Sequence, residues 1–185
     1  MSARSESFRN RLTPHPASPR SPVHEIVVGA ARHDDALLLN YRIVGELGAM
    51  RMPELRPPVH TDNLWRQTCF EAFTGATSSS EYCEYNFSPS GAWAAYHFTG
   101  YRAGMQPVAE AGAPAISVQP GAAEYILAVT LDIGWLLRLR AGSALRLGLT
   151  AVVEDRAQGL SYWALKHVAE KPDFHRADSF QVVLA

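Results

Sequence analysis

The stretch from Leu64 to Arg102 reads LWRQTCFEAFTGATSSSEYCEYNFSPSGAWAAYHFTGYR, and it decides the fold. It holds two of the four Trp, four Tyr, four Phe and both Cys. Aromatic residues suit a pleated, half-buried surface. They fall into three short runs, Gln67 to Phe73, Glu81 to Ser88 and Ala92 to Phe98. Pro89-Ser90-Gly91 between the last two runs is typical of a tight turn. The stretch therefore predicts an antiparallel meander of three strands.

The side chains of the second run alternate between two faces. One face takes Cys83, Tyr85 and Phe87, and the other takes Tyr82, Glu84 and Asn86. In the first run, Glu71 shares a face with Gln67, Cys69 and Phe73. Carboxylates and an amide beside aromatic rings are the groups that a polar ligand surface needs. The alternative is that Glu84 and Asn86 face water, as polar residues of one-sided sheets usually do.

Composition limits the classes of protein to consider. A chain of 185 residues, 47% hydrophobic and 19% charged, predicts one globular domain. The net charge of -1 argues against a nucleic-acid partner, which usually requires a basic face. No apolar run is long enough to cross a bilayer and no secretory signal is present, so we expect no membrane partner and a cytoplasmic location. Cys69 and Cys83 are expected as thiols, although a disulfide stays open.

The flanking sequence predicts further strands and few helices. Met1 to Val23 is rich in Ser, Arg and Pro, which predicts a flexible tail, and residues 24–185 form the domain. Asp132 to Leu139 could form one short helix, capped by Asp132. About ten strands without strand–helix alternation predict an all-β fold, an antiparallel β-sandwich of the jelly-roll or immunoglobulin-like kind.

The candidate site combines aromatic and polar side chains. No nucleophile elbow, P-loop, dinucleotide fingerprint or H-E-x-x-H motif is present. Trp65 and Trp163 are flanked by polar loop residues, and an indole face can stack on the C–H face of a sugar ring. Carboxylates, amides and arginine would then hold the hydroxyls. For Trp65 and Trp163, burial in the core is the equally weighted alternative.

Two histidines near the C-terminus form a candidate metal-binding pattern. His167 and His175 lie eight residues apart with Asp173 between them, a pattern that could hold a metal. In a loop, such a group more often forms a hydrogen-bonded scaffold, so the sequence predicts no metal site.

Four phrases of the sequence carry a resemblance to a known family. They are LWRQTCFEAF, EYNFSPSGAWAAYHFTGYR, SYWALKH and KPDFHRADSF. The chain from His24 onward resembles the DOMON-like bacterial proteins, which are related to family 9 carbohydrate-binding modules. The resemblance implies a β-sandwich with a groove in which two Trp clamp a glycan. It implies Trp65 and Trp163 for the clamp and Glu71 and Arg102 for the sugar hydroxyls.

The same resemblance implies two candidate cofactors, calcium and haem. Family 9 modules bind structural calcium, and the haem-binding branch uses Met and His ligands. The candidates for the latter are Met50, Met52, Met105 and His97. No motif connects these residues, and the sequence predicts no cofactor.

These inferences converge on a binding module in preference to an enzyme. We expect a non-catalytic β-sandwich module that binds a saccharide or another small polar ligand in a Trp-lined groove. The predicted ligand-binding residues are Trp65, Glu71, Glu84, Asn86, Arg102, Glu154, Trp163, His167 and His175. The alternatives are a haem or cofactor carrier, a hydrolase that uses paired carboxylates, and a protein-interaction module.

Overall fold

The structure is a computed structural model that describes residues 6–108, 111–139 and 144–184. Within these residues it has twelve β-strands and one α-helix. The strands are β1 (Glu6–Pro14), β2 (Val23–His33), β3 (Ala36–Gly45), β4 (Cys69–Ala76), β5 (Tyr82–Phe87), β6 (Trp93–Phe98), β7 (Gln106–Pro107), β8 (Ala115–Pro120), β9 (Glu124–Asp132), β10 (Leu145–Asp155), β11 (Gly159–Ala164) and β12 (Val182–Leu184), and the helix is α1 (Gly134–Leu139). The all-β prediction is confirmed.

The strands form one continuous, strongly curled antiparallel sheet. Its order is β7-β6-β5-β4-β10-β11-β1-β2-β3-β9-β8, with β12 paired to the first residues of β10. The predicted meander is β4, β5 and β6, which are neighbours in this order. The turn between β5 and β6 contains Gly91 at φ +89, where a Cβ would meet the Arg56 carbonyl oxygen at 2.9 Å. Glycine is therefore required at this turn.

Strand β1 joins two halves of the sheet. The half that runs from β2 through β3 and β9 to β8 is called the β2–β3–β9 half, and the half that runs from β11 through β10, β4, β5 and β6 to β7 is called the β4–β5–β6 half. Residues Glu6 to Leu12 pair with β2, and Thr13 and Pro14 pair with β11. The two halves pack face to face around the main core. Tyr41 of β3 lies 5.1 Å from the ring of Phe70 in β4, and its hydroxyl donates to the backbone oxygen of Glu71 at 2.7 Å. The curl thus closes one face of the sheet upon itself.

The predicted flexible tail over Met1 to Val23 is wrong for Glu6 to Pro14, which are strand β1. Among residues 7–14, whose side chains are described, most are exposed and only Leu12 is buried. The strand therefore lacks the apolar pattern that sequence reasoning relies on. Its order comes instead from backbone pairing with two neighbours. Residues 1–5 of that tail lie outside the described part.

The predicted short helix is present as α1. The Asp132 carboxylate accepts the backbone N–H of Gly134 at 2.8 Å, which satisfies a donor at the start of the helix. Within the described residues, no helix combines the length and the apolar character that crossing a membrane requires.

Candidate functional site

A cavity of about 820 Å³ lies on the face of the β4–β5–β6 half that points away from the main core. Side chains from the sheet form its floor. They are Glu71 and Phe73 of β4, Glu84 of β5, Tyr96 and Phe98 of β6, Val152 of β10 and Tyr162 of β11. The walls come from three connections: the segment around Trp65, the β6–β7 connection with Arg102, and the loop after β11 with Phe174 and His175.

The strand register decides which side chains reach the floor. Glu71 is opposite Asn86 on one side and Thr150 on the other, while Glu84 is opposite Phe73 and Tyr96. Side chains two residues apart on one strand share a face. Glu71 and Glu84 are therefore diagonal neighbours on adjacent antiparallel strands, a position in which Cα atoms are roughly 7–8 Å apart. The two carboxylates face one cavity from neighbouring strands.

The two carboxylates are almost fully enclosed, with Glu71 2% and Glu84 6% exposed. Thr150 Oγ1 donates to Glu71 Oε2 at 3.0 Å, and Asn86 Nδ2 donates to Glu84 Oε1 at 2.7 Å. Burial, followed by repulsion from Glu84, raises the pKa of Glu71 to about 8. Burial also raises the pKa of Glu84. At neutral pH the pair consequently retains a proton.

His175 connects the Glu84 carboxylate to the wall of the cavity. Its Nε2 lies 3.7 Å from Glu84 Oε2, and its Nδ1 lies 2.8 Å from the Tyr82 hydroxyl. The Tyr82 oxygen also accepts the backbone N–H of Arg102 at 3.2 Å. Burial and then the charge of Arg102 lower the pKa of His175 to about 4. The imidazole is therefore neutral at pH 7 and contributes no charge to the cavity.

Arg102 and Asp173 form an ion pair at the same wall. Arg102 Nη2 donates to Asp173 Oδ1 at 2.9 Å, and the Tyr101 hydroxyl donates to Asp173 Oδ2 at 2.6 Å. Burial would raise the pKa of Asp173, but these two hydrogen bonds and the N–H of His175 outweigh it and lower the pKa. The Arg102 charge is thus matched by a carboxylate of the protein itself.

Trp65 stands at the rim of the cavity on a single 3₁₀ turn, Leu64–Arg66. Its side chain is 45% exposed and lines the cavity. The Arg66 guanidinium lies over the ring, 5.2 Å from its centroid. An indole held in this way offers an apolar, electron-rich surface at the entrance.

The structure brings most of the predicted site residues together. Trp65, Glu71, Glu84, Arg102 and His175 line the cavity. Asn86 is buried beside them and is hydrogen-bonded to Glu84.

The prediction that Trp163 stands in the groove is wrong. Trp163 is 4% exposed and belongs to the main core, and its indole N–H donates to Ser161 Oγ at 3.0 Å. Its neighbour Tyr162 faces the cavity instead. Adjacent residues of a strand point to opposite faces, so only one of the two rings could reach the cavity.

Glu154 and His167 also lie outside the cavity lining. Glu154 Oε1 pairs with Arg51 Nε at 3.1 Å, near the end of β10. His167 Nε2 donates to the backbone oxygen of Thr13 at 2.8 Å, so this ring holds the end of β1. Both side chains therefore support the fold around the cavity.

Sequence reasoning missed several lining residues. They are Asp62, Asn63, Phe73, Tyr96, Phe98, Met105, Pro107, Val152, Tyr162, Pro172 and Phe174. For Tyr96 and Phe98 the signal was available, because they alternate with Ala95 and His97 in the third run of the meander. Phe174 gives no such signal, since it lies in a loop.

The described residues contain no group of three or more His, Cys, Asp or Glu side chains arranged to hold a metal ion. His167 and His175 themselves have separate partners, the backbone of Thr13 for the former and Tyr82 for the latter.

Comparison with known proteins identifies the fold. No known family model matches the chain, and no curated protein matches it. Among solved structures, the fold is similar to that of a putative carbohydrate-binding protein from Bacteroides uniformis ATCC 8492. The TM-score is 0.69 at 14% sequence identity, covering 94% of this chain and 84% of that chain. The class defined by fold and site is a curled antiparallel β-protein with a cavity on its outer face.

Proposed function

We propose that the protein is a non-catalytic binding module whose cavity takes a saccharide. The observation that carries the proposal is the cavity of about 820 Å³, with the half-exposed indole of Trp65 at its rim and the Glu71–Glu84 pair on its floor. Its volume falls within the range of small-molecule sites. An indole packs on the apolar face of a pyranose, while carboxylates accept hydrogen bonds from hydroxyl groups.

The similarity to the putative carbohydrate-binding protein from Bacteroides uniformis supports this proposal through the fold. The sequence resemblance to DOMON-like proteins and family 9 carbohydrate-binding modules points in the same direction. One difference from a two-Trp clamp is that Trp163 lies in the core. The second aromatic surface would be supplied by Tyr162, Phe98 or Phe174, all of which line the cavity.

A glycan array followed by isothermal titration calorimetry tests the proposal. We expect binding of at least one saccharide at millimolar concentration or below. Trp65→Ala should weaken that binding about tenfold, since a stacked ring contributes about 0.5–1.5 kcal/mol beyond its buried area. Leu55→Ala is the control, because Leu55 is an exposed apolar side chain that is not among the residues lining the cavity. Absence of binding by any saccharide at millimolar concentration would contradict the proposal.

The carboxylate pair favours glycoside hydrolysis as the second candidate function. A carboxylic acid that keeps its proton at neutral pH can act as a general acid, and Glu71 has a raised pKa beside a second carboxylate. Prolonged incubation with each saccharide that binds, followed by product analysis, tests this candidate. Hydrolysis by the wild-type protein that Glu71→Gln abolishes would replace the non-catalytic proposal.

The haem alternative has less support from the cavity. Of the candidate ligands Met50, Met52, Met105 and His97, Met105 is the one that appears among the described lining residues. Met50 belongs to the main core, and His97 contacts Glu81 at 3.3 Å. A Soret band after haem addition would revive this alternative.

A further inference from the structure

The described residues that line the cavity carry more acidic than basic groups. Asp62, Glu71 and Glu84 are acidic, whereas Arg102 is the one lining residue with a guanidinium or ammonium group. The Arg102 charge is paired with Asp173, and His175 is neutral at pH 7. The acidic groups of the cavity therefore outnumber its cations, because the Arg102 charge that acts on Glu71 and Glu84 is shared with Asp173.

The ion pairs within the described part give neither Glu71 nor Glu84 an arginine or lysine partner. Glu84 has one histidine contact, at 3.7 Å. Thr150 donates to Glu71 Oε2 at 3.0 Å. Glu71 is 2% exposed and lines the cavity. An ionised carboxylate accepts several hydrogen bonds, so deprotonated Glu71 can accept further bonds from a donor in the cavity beside the one from Thr150.

Aromatic rings surround the same space. Trp65, Tyr96, Phe98, Tyr162 and Phe174 all line the cavity. The faces of such rings attract cations, and the attraction is larger when the cation is shielded from water. Carboxylates and ring faces in one enclosed cavity favour a positively charged group over a neutral one.

We propose that the saccharide bound by this cavity is an amino sugar with a free ammonium group, which Glu71 and Glu84 hold on the floor while the sugar ring contacts the aromatic walls. This proposal rests on the saccharide-binding function proposed above. An ammonium group offers three donors and one positive charge, which matches the ionised form of the carboxylate pair on the floor.

Binding of the ammonium group is linked to release of a proton. In the empty protein the carboxylate pair retains one proton at neutral pH, since burial raises both pKa values. The incoming positive charge favours the deprotonated pair, so that proton passes to the buffer while the ammonium keeps its own three. Other titratable and charged groups face or adjoin the pair: Cys69, Tyr82, Tyr96, Arg102, Asp173, His175 and Asp62. None of these is positively charged at pH 7 except Arg102, which is already paired.

The experiment is calorimetric titration of the full chain at pH 6, where the sugar amines are protonated, with three matched sets of probes. The amino sugars are glucosamine, galactosamine and a deacetylated chitosan oligosaccharide. Their neutral counterparts are glucose, galactose and a cello-oligosaccharide, and the third set is the N-acetylated forms. We expect at least one amino sugar to bind tenfold or more tightly than its neutral and N-acetylated counterparts. Titrations in phosphate and MOPS, which differ in ionisation enthalpy and contain no primary ammonium group, should show release of up to one proton.

Variants assign the effect to the carboxylate pair. Glu71→Gln and Glu84→Gln keep the side-chain size and should each weaken amino-sugar binding about tenfold and remove the proton release. Glu81→Gln is the matched control, because Glu81 is exposed and lies outside the cavity lining. It should bind like the wild type. Thermal unfolding of each variant verifies that it is folded, and a pH series of the wild type gives the same proton count without any mutation.

The outcomes separate this proposal from the one it rests on. Neutral sugars that bind as tightly as amino sugars, with no proton release, would overturn the ammonium proposal and leave saccharide binding standing. Absence of binding by every sugar in all three sets would overturn both.

Discussion

The two halves of the sheet differ in how many faces they bury. In the β2–β3–β9 half the burial alternates, with buried residues such as Leu37, Leu39 and Tyr41 between more exposed neighbours. In the β4–β5–β6 half every residue of β4 and β5 is buried. One face of β4 and β5 belongs to the main core, and the other forms the cavity floor under the surrounding loops. The first half therefore stabilises the fold. The second half also encloses the carboxyl groups of Glu71 and Glu84, whose pKa values are raised by burial.

The largest expected effect comes from the face of β4 that lies in the main core. Phe70 is fully buried in the main core, so Phe70→Ala should lower the free energy of unfolding by about 3–5 kcal/mol. Urea denaturation measures the change. Leu38→Ala is the control on the half-exposed face of β3, where Leu38 is 37% exposed, and should change stability by about 0.5 kcal/mol or less. Equal losses in both variants would contradict the assignment of the core.

The next effect is a pH dependence that comes from the cavity face. Folded Glu71 retains its proton up to about pH 8, whereas the unfolded side chain loses it near 4.5. The folded state then binds more protons in this window, so stability falls as pH rises, by at most about 1.4 kcal/mol per pH unit. His175 acts oppositely between pH 4 and 6.5, because its folded pKa is about 4. The Glu71 effect should therefore be clearest between pH 6.5 and 8.

Urea denaturation in small pH steps from 5 to 9 measures this dependence. Glu71→Gln should remove the fall above pH 6.5, while the exposed control Glu81→Gln should keep it. A profile for Glu71→Gln that parallels the wild type would show that another group causes the dependence.

A smaller effect is expected from the hydrogen bonds in the cavity wall. Tyr82→Phe removes the hydroxyl between His175 and the backbone of Arg102 but keeps the ring, which stacks on Phe98 at 4.8 Å. We expect a loss of about 1 kcal/mol in thermal or urea unfolding, the usual contribution of a hydrogen bond. Tyr125→Phe in β9 is the control from the other half of the sheet. A larger loss of unfolding free energy in Tyr125→Phe than in Tyr82→Phe would contradict an ordered hydrogen-bond network in this wall.

The smallest effect on stability is expected at Trp65. Its side chain is 45% exposed, so Trp65→Ala should change the unfolding free energy by no more than about 0.5 kcal/mol while saccharide binding weakens. Trp163→Phe is the matched contrast, because Trp163 is buried in the main core. It should lower stability and leave affinity unchanged at temperatures where the variant is folded. Weaker saccharide binding by Trp163→Phe together with unchanged binding by Trp65→Ala would contradict the assignment of Trp65 to the binding site.

The meander was predictable because its residues are neighbours in the chain. Alternation in Glu81 to Ser88 correctly put Glu84 and Asn86 on the face opposite Tyr85. Strand β1 could not be predicted, since its polar residues are ordered by pairing with strands that lie elsewhere in the sequence. Only two of its residues pair with β11, and the remainder pair with β2.

The wall of the cavity depends on contacts between distant parts of the chain. Tyr82 and His175 are 93 residues apart, and Arg102 and Asp173 are 71 apart. No local spacing indicates such pairs. Trp163 illustrates a different limit, because alternation shows that Tyr162 and Trp163 diverge but not which of them faces the core.

Arg102 and Asn63 have backbone φ angles of 51° and 62°, in the left-handed region that side chains other than glycine seldom occupy. Both residues line the cavity, and the Arg102 peptide is held there by Tyr82. A backbone conformation of this kind costs about 1–3 kcal/mol, and this cost is already part of the folding free energy of the ligand-free protein. The backbone at the entrance is thus ordered before a ligand binds. Binding would then cost the ligand its own freedom but would not require these wall residues to be ordered as well.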